Sequence, residues 1–117
     1  MKQVLVIDDN AVNRKLASVM LRKRGWNVDE AEDGFIGLDK LHAKAYDHVL
    51  LDISMPGIDG EEVCRRIRQD PALQHLHVVA YTAHAFESDH ARLREIGFND
   101  IITKPVSMAI LQEKLPD

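Results

Sequence analysis

The sequence predicts a doubly wound, three-layer α/β/α domain built on five parallel strands, and three observations lead there. Five short apolar runs of strand length alternate with amphipathic stretches of helix length, with no repeat, low-complexity tract or linker between them. Three of the runs, Val4-Leu5-Val6-Ile7, Val49-Leu50-Leu51 and Val78-Val79-Ala80, are continuously apolar, as central parallel strands covered on both faces must be. A length of 117 residues suits one such domain, so residues 1–117 are expected to form a single unit.

The elements follow in order. The first strand is expected over Gln3 to Ile7. Val12, Leu16, Val19, Met20 and Lys23 then recur at helical spacing, and Gly25 supplies a left-handed stop. Asn27 to Ala31 alternates with Trp26, Val28 and Glu30 and reads as an edge strand. Asp33 can cap a second helix whose stripe is Ile36, Leu38 and Leu41. The third strand is expected over His48 to Leu51. Asp59 with Glu62 three residues on forms a capping-box pattern, with Val63 and Ile67 on the buried face of the third helix. His77 to Tyr81 makes the fourth strand; Ser88 is the expected cap of the fourth helix, with Leu93 and Ile96 inward and Gly97 at its end. The brief run Asp100 to Thr103 reads as the other edge strand, and Ser107 caps a fifth helix reaching Leu115. Right-handed crossovers between parallel strands then place helices on both faces of the sheet.

Composition narrows the function classes. There are 15 basic and 19 acidic residues and no basic stripe, which argues against nucleic acid as a direct partner. No apolar run approaches the roughly 18 residues of a membrane span, and the run after Met1 is too short for a signal-peptide core. Cys64 is the single cysteine, so no internal disulfide can form, and a soluble, cytoplasmic protein is expected. Cys64 itself reads as a small, partly buried helix residue without chemistry.

In open α/β sheets, ligands bind beyond the carboxyl ends of the strands. The first strand ends in Asp8-Asp9, the third in Asp52, the fourth in Thr82-Ala83 and the fifth in Lys104-Pro105. Singly, Asp9 or Asn10 reads as a helix cap, Asp52 as a turn residue before Met55-Pro56-Gly57, Thr82 as a hydroxyl serving the backbone and Lys104 as a solvated lysine. Their meeting at one edge decides otherwise. Three carboxylates in one crevice repel one another and call for a hard divalent cation, and Mg²⁺ suits a site of a few carboxylates with room for phosphate oxygens. One carboxylate can act as nucleophile toward a phosphoryl group, Lys104 can offset its charge, and Thr82 and backbone N–H groups can bind its oxygens.

The segments VLVIDDN (Val4 to Asn10), LLDISMPGIDG (Leu50 to Gly60), AYTA (Ala80 to Ala83) and Lys104-Pro105 together resemble the receiver domain of bacterial response regulators over nearly the whole chain. The resemblance implies the flavodoxin-like strand order 2-1-3-4-5. It implies Asp52 as phosphoacceptor, with Asp8, Asp9 and the Ser54 backbone carbonyl joining Asp52 around Mg²⁺. It implies Thr82 and Lys104 as the residues that sense the phosphoryl group, with Ala83 and His84 at the rim, and a cis bond before Pro105 that aims Lys104 inward. The implied partners are a sensor histidine kinase or a histidine phosphotransfer protein as donor and a downstream protein effector as reader, through a change of shape rather than enzymatic turnover. Activation is usually displayed on the fourth helix, fifth strand and fifth helix, where Phe86, Met108 and Leu111 are candidates for partial exposure. One departure stands out: Ile101 occupies the place, three residues before the lysine, where the family often has Tyr or Phe. Thr82 and the loop after it are therefore expected to carry the switch, with Ile101 contributing packing. The run DNAVNR (Asp9 to Arg14) resembles receivers attached to hybrid kinases.

Two rivals fit less well. A haloacid-dehalogenase-type phosphohydrolase would carry D-x-D after the first strand, whereas here the acids are adjacent and the best nucleophile follows the third. A flavin carrier on the same fold would need a Gly/Ser/Thr loop where Asp8 and Asp9 would repel the flavin phosphate. The six histidines, with His75 and His77 two apart, lack a Cys or carboxylate cluster to complete a tetrahedral metal set and read as solvated residues.

Overall fold

Side chains alternate between the two faces of each strand, so every apolar strand here has to be covered twice. The computed structural model describes residues 2–83 and 87–116. Its elements are β1 (Gln3–Ile7), α1 (Ala11–Lys23), β2 (Asn27–Ala31), α2 (Gly34–Ala43), β3 (His48–Asp52), α3 (Gly60–Gln69), β4 (His77–Thr82), α4 (Glu87–Ile96), β5 (Asp100–Thr103) and α5 (Met108–Lys114). The five strands are parallel in the order β2-β1-β3-β4-β5, with β2 and β5 at the edges as expected. β3 and β4 each run one residue further than the sequence predicts. Asp52 pairs in register with Tyr81, and Thr82 with Thr103, so Asp52 and Thr82 are fixed as the last rungs of the ladder.

One face of the sheet presents Leu5, Ile7, Val49, Leu51, Val78, Ala80 and Ile101 to Leu38, Leu41, Val63, Ile67 and Leu93 of α2, α3 and α4. The other presents Val4, Val6, Leu50, Val79, Tyr81 and Ile102 to Ala17, Leu21 and Leu111 of α1 and α5. Each fully buried Leu, Ile or Val contributes about 1.5–3 kcal/mol. The helices start where the sequence places caps: the side chains of Asn10, Asp33, Asp59 and Ser107 accept from the backbone N–H of Asn13, Ile36, Glu62 and Ile110. Gly25 and Gly97 end α1 and α4 with positive φ of 82° and 131°. Among the described residues no helix is long and apolar enough to cross a membrane.

Several expectations need correction, among them the partial exposure of Leu111, which is fully buried on α5. In α1 the helical spacing holds but the face does not: Val12, Leu16 and Val19 are 77%, 38% and 47% exposed, while Ala17, Ser18 and Leu21 are buried. Small side chains at 17 and 18 let the helix lie close to the sheet. Its rotation is set by polar contacts, since Arg14, Lys15 and Arg22 all reach Glu30 of β2, at 3.0, 3.2 and 3.4 Å. Ser88 lies inside the first turn of α4, which begins one residue earlier at Glu87. Cys64 is fully rather than partly buried, and burial pushes its thiol up to about 11. His42 and His75 are exposed, but His48 is buried and its Nδ1 lies 2.9 Å from Nδ1 of the half-buried His77. In the capping-box pattern, the Glu62 carboxylate is engaged by Arg66 at 3.0 Å.

Candidate functional site

The carboxyl edge of the sheet is assembled by short backbone links between neighbouring strand ends. The Asp8 N–H donates to the Ala31 carbonyl at 3.1 Å, extending the β1–β2 ladder by one residue, and Arg14 donates to the Asp8 carbonyl at 2.8 Å. Asp8 is thereby buried, with Oδ1 accepting from the Asn10 N–H at 2.9 Å, while Asp9 is exposed. At the end of β3 the Ile53 N–H donates to the Tyr81 carbonyl at 3.3 Å, and the Gly60 N–H donates to the Ile53 carbonyl at 2.9 Å. This folds the loop after Asp52 back so that α3 starts directly against the strand end. A Cβ at position 60 would collide with the Asp52 carbonyl oxygen, which is why the D-G pair opening α3 ends in glycine.

Lys104 arrives from β5. Its N–H donates to the Thr82 carbonyl at 2.8 Å, and the Lys104–Pro105 peptide is cis, as the resemblance implies. The ammonium lies 3.3 Å from Asp8 Oδ2 and 3.3 Å from Asp52 Oδ1. The structure thus brings Asp8, Asp9, Asp52, Thr82 and Lys104 to one edge. Ser54 and Ala83 follow in exposed positions beside it, Pro105 is exposed, and Ile101 is buried in the core beneath α3 and α4. His84 and Phe86 lie outside the described residues.

Charge is poorly balanced here. One ammonium faces two buried carboxylates and a third at the surface. Burial first, and then the charge of Asp8, push the Asp52 carboxyl up to about 7, against the opposing pull of Lys104. Asp8 Oδ2 is buried without a hydrogen bond, 3.3 Å from the Lys104 ammonium. One oxygen from each of Asp8, Asp9 and Asp52 lies within 4.8 Å of the others, the only such cluster of potential ligands among the described residues. An all-oxygen donor set with an orphaned carboxylate oxygen fits a hard cation such as Mg²⁺ and not a soft one.

Sequence reasoning missed two neighbours of this site. The Tyr81 ring lies under the Lys104 ammonium, whose Nζ is 4.9 Å from the ring centroid. The exposed row Val12, Leu16 and Val19 begins three residues after Asp9 and runs away from the site along α1. Its signal was already present in the sequence: an apolar stripe at helical spacing beside Ala17 and Ser18, residues small enough to be the packing face instead.

The family model of the response regulator receiver domain matches residues 4–116. The chain belongs to this family. Chemotaxis protein CheY-3 of Vibrio cholerae is 36% identical over 114 residues, covering 97% of this chain and 88% of that protein. Hybrid signal transduction histidine kinase I of Dictyostelium discoideum is 38% identical over 119 residues, and there the chain spans 96% of itself but 7% of the kinase. Among solved structures, the receiver domain of a Pseudomonas aeruginosa sensor histidine kinase, with a magnesium ion coordinated in its active site cleft, superposes with a TM-score of 0.87 at 31% identity over 96% of this chain and 92% of that one. The Vibrio cholerae chemotaxis protein CheY4 shares the fold with a TM-score of 0.92, at 24% identity over 98% of this chain and 96% of that one. Receiver domains are signalling modules that accept a phosphoryl group in two-component systems. Membership in this family sets aside the phosphohydrolase and flavin-carrier readings.

Proposed function

We propose that residues 1–117 act as one receiver unit in which Asp52 accepts a phosphoryl group from a phosphohistidine on a sensor histidine kinase or a histidine phosphotransfer protein. The observation that carries this is the position of Asp52: the last rung of a central strand, buried, with Lys104 at 3.3 Å and two further carboxylates beside it. An Asp52 carboxylate oxygen attacks phosphorus in line; the new P–O bond forms as the P–N bond to the donor imidazole breaks, and that nitrogen then takes a proton from water. Asp8, Asp9, Asp52 and the Ser54 carbonyl would hold Mg²⁺, which would supply positive charge against the transferred oxygens. Lys104 supplies the remaining cation, and Thr82 with the backbone N–H of Ala83 binds phosphoryl oxygens. Water later hydrolyses the acyl phosphate without another enzyme.

The phosphoryl group adds charge of roughly −1.5 to −2 at the strand ends and draws Lys104 and Thr82 toward itself. That shift biases the loop after Thr82, and a downstream protein reads the altered surface. Ile101 fills core space and takes no part in the switch, and its resonances should move less than those around Thr82 on phosphorylation. The aliphatic row on α1 is the surface on which the phosphohistidine donor rests, because it is exposed and starts at the mouth of the site.

Incubation with Mg²⁺ and acetyl phosphate, followed by intact mass, tests the reading. One hydroxylamine-labile phosphoryl group is expected on the wild type, and none on Asp52→Asn or in EDTA. Equal incorporation by Asp52→Asn would overturn it.

A further inference from the structure

We propose that Tyr81 is a positioning residue for Lys104, its ring face holding the ammonium in place between Asp8 and Asp52. The inference rests on Lys104 being the cation that meets the phosphoryl group. Lys104 Nζ sits 4.9 Å from the Tyr81 centroid while touching Asp8 Oδ2 and Asp52 Oδ1 at 3.3 Å each. Two carboxylate contacts leave a long, flexible side chain free to swing about the line joining them. A third attractive surface removes that freedom.

An aromatic face suits this third position for an electrostatic reason. It attracts a cation through its quadrupole but carries no net charge, so it adds far less than a fourth carboxylate would to the repulsion an incoming phosphoryl group meets. The ring is also a rigid support. Tyr81 is 2% exposed, pairs in register with Ile102 and packs with Val6, Val106 and Leu111 in the core under α1 and α5. The backbone of Lys104 is tied to the same strand through the Thr82 carbonyl at 2.8 Å. Ring and ammonium thus belong to adjacent strand ends that cannot drift apart. Ile101 lies in the core on the opposite face of the sheet, so Tyr81 does not take over a ring position there; it supports the lysine from below.

Two measurements test this. In the metal-free protein, the ε-methylene protons of Lys104 should be shifted upfield by the ring current in wild type and in Tyr81→Phe, and return to the ordinary lysine position in Tyr81→Leu. An ordinary position in the wild type overturns the proposal, whether or not the leucine variant folds. Phosphorylation by acetyl phosphate should slow about fivefold in Tyr81→Leu, in the range of one partly buried cation–π contact, and Tyr81→Phe should recover most of the rate. A leucine variant as fast as wild type, or a phenylalanine variant as slow as leucine, overturns it as well. A wild type that takes no phosphoryl group counts against Asp52 as acceptor, whereas the metal-free spectrum judges Tyr81 independently.

Discussion

Strands β3 and β4 begin in one kind of polar cluster and end in the opposite kind. At their amino ends His48 and His77 are register partners with Nδ1 atoms 2.9 Å apart, a contact in which one ring donates and the accepting ring must be neutral. His48 also stacks on Trp26, with ring centroids 5.2 Å apart. At the carboxyl ends Asp52 faces Asp8, Asp9 and one ammonium, with a buried carboxylate oxygen left unbonded. The histidine pair is held by its own neighbours through the Nδ1 contact and the Trp26 stack, although His48 Nε2 is buried without a hydrogen-bond partner. The acidic cluster has one ammonium for three carboxylates, a shortage of positive charge that a bound cation would relieve.

The two ends respond to pH in opposite directions. Asp52 has its folded pKa raised from 3.8 to about 7, so the folded state holds the proton longer; its contribution is greatest at low pH and is lost as pH rises toward 7. His48 has its folded pKa lowered from 6.5 to about 4, by burial first and by His77 second. Its contribution is complete above 6.5 and is lost as pH falls toward 4. The two slopes oppose each other across one window. Removing the first should expose the second: in an Asp52→Asn background, acidification from pH 6.5 to 4 should cost about 3 kcal/mol more with His48 present than with His48→Phe. Urea unfolding at both pH values measures this, and equal slopes would break the comparison.

Arg68 reinforces the amino end, donating to the carbonyls of Gly97, Gln74 and Leu76 and to Asn99 Oδ1, at 2.9, 2.8, 2.7 and 2.7 Å. Arg68→Ala should lower unfolding free energy by about 2 kcal/mol with phosphorylation intact; a loss well under 1 kcal/mol would place the stability of that end elsewhere. At the opposite end the sign should reverse. Asp8→Asn relieves like-charge repulsion and should stabilise the metal-free protein by about 1 kcal/mol while weakening Mg²⁺ binding. Destabilisation, read in the same urea titration, would mean that the acidic cluster is not frustrated.

How much of this was legible depended on whether a feature lies along the chain or between strands. Asp8, Asp52, Thr82 and Lys104 follow or end apolar runs, so strand prediction alone placed them at one edge. Asn10, Asp33, Asp59 and Ser107 were legible as caps because capping is local. The face of α1 was not, since hydrophobicity marks Val12, Leu16 and Val19 while Ala17, Ser18 and the Glu30 ion pairs decide how the helix lies. His48 with His77, and Tyr81 with Lys104, depend on register between strands and on side-chain direction, which no single segment encodes. The smallest stability effect tests the misread helix: Leu16→Lys should change unfolding free energy by less than about 0.5 kcal/mol and leave acetyl phosphate labelling unchanged. Transfer from a phosphorylated histidine-containing donor protein should slow, and unaltered transfer would remove α1 from the docking surface.

The central claim is that the phosphoryl group lands on the carboxylate at the end of β3. Phosphorylating the wild type, reducing the acyl phosphate with borohydride and sequencing the peptides by mass spectrometry tests it most directly. The account predicts homoserine at position 52 and unmodified aspartate at positions 8 and 9. Homoserine at either of those positions, with Asp52 intact, would contradict it.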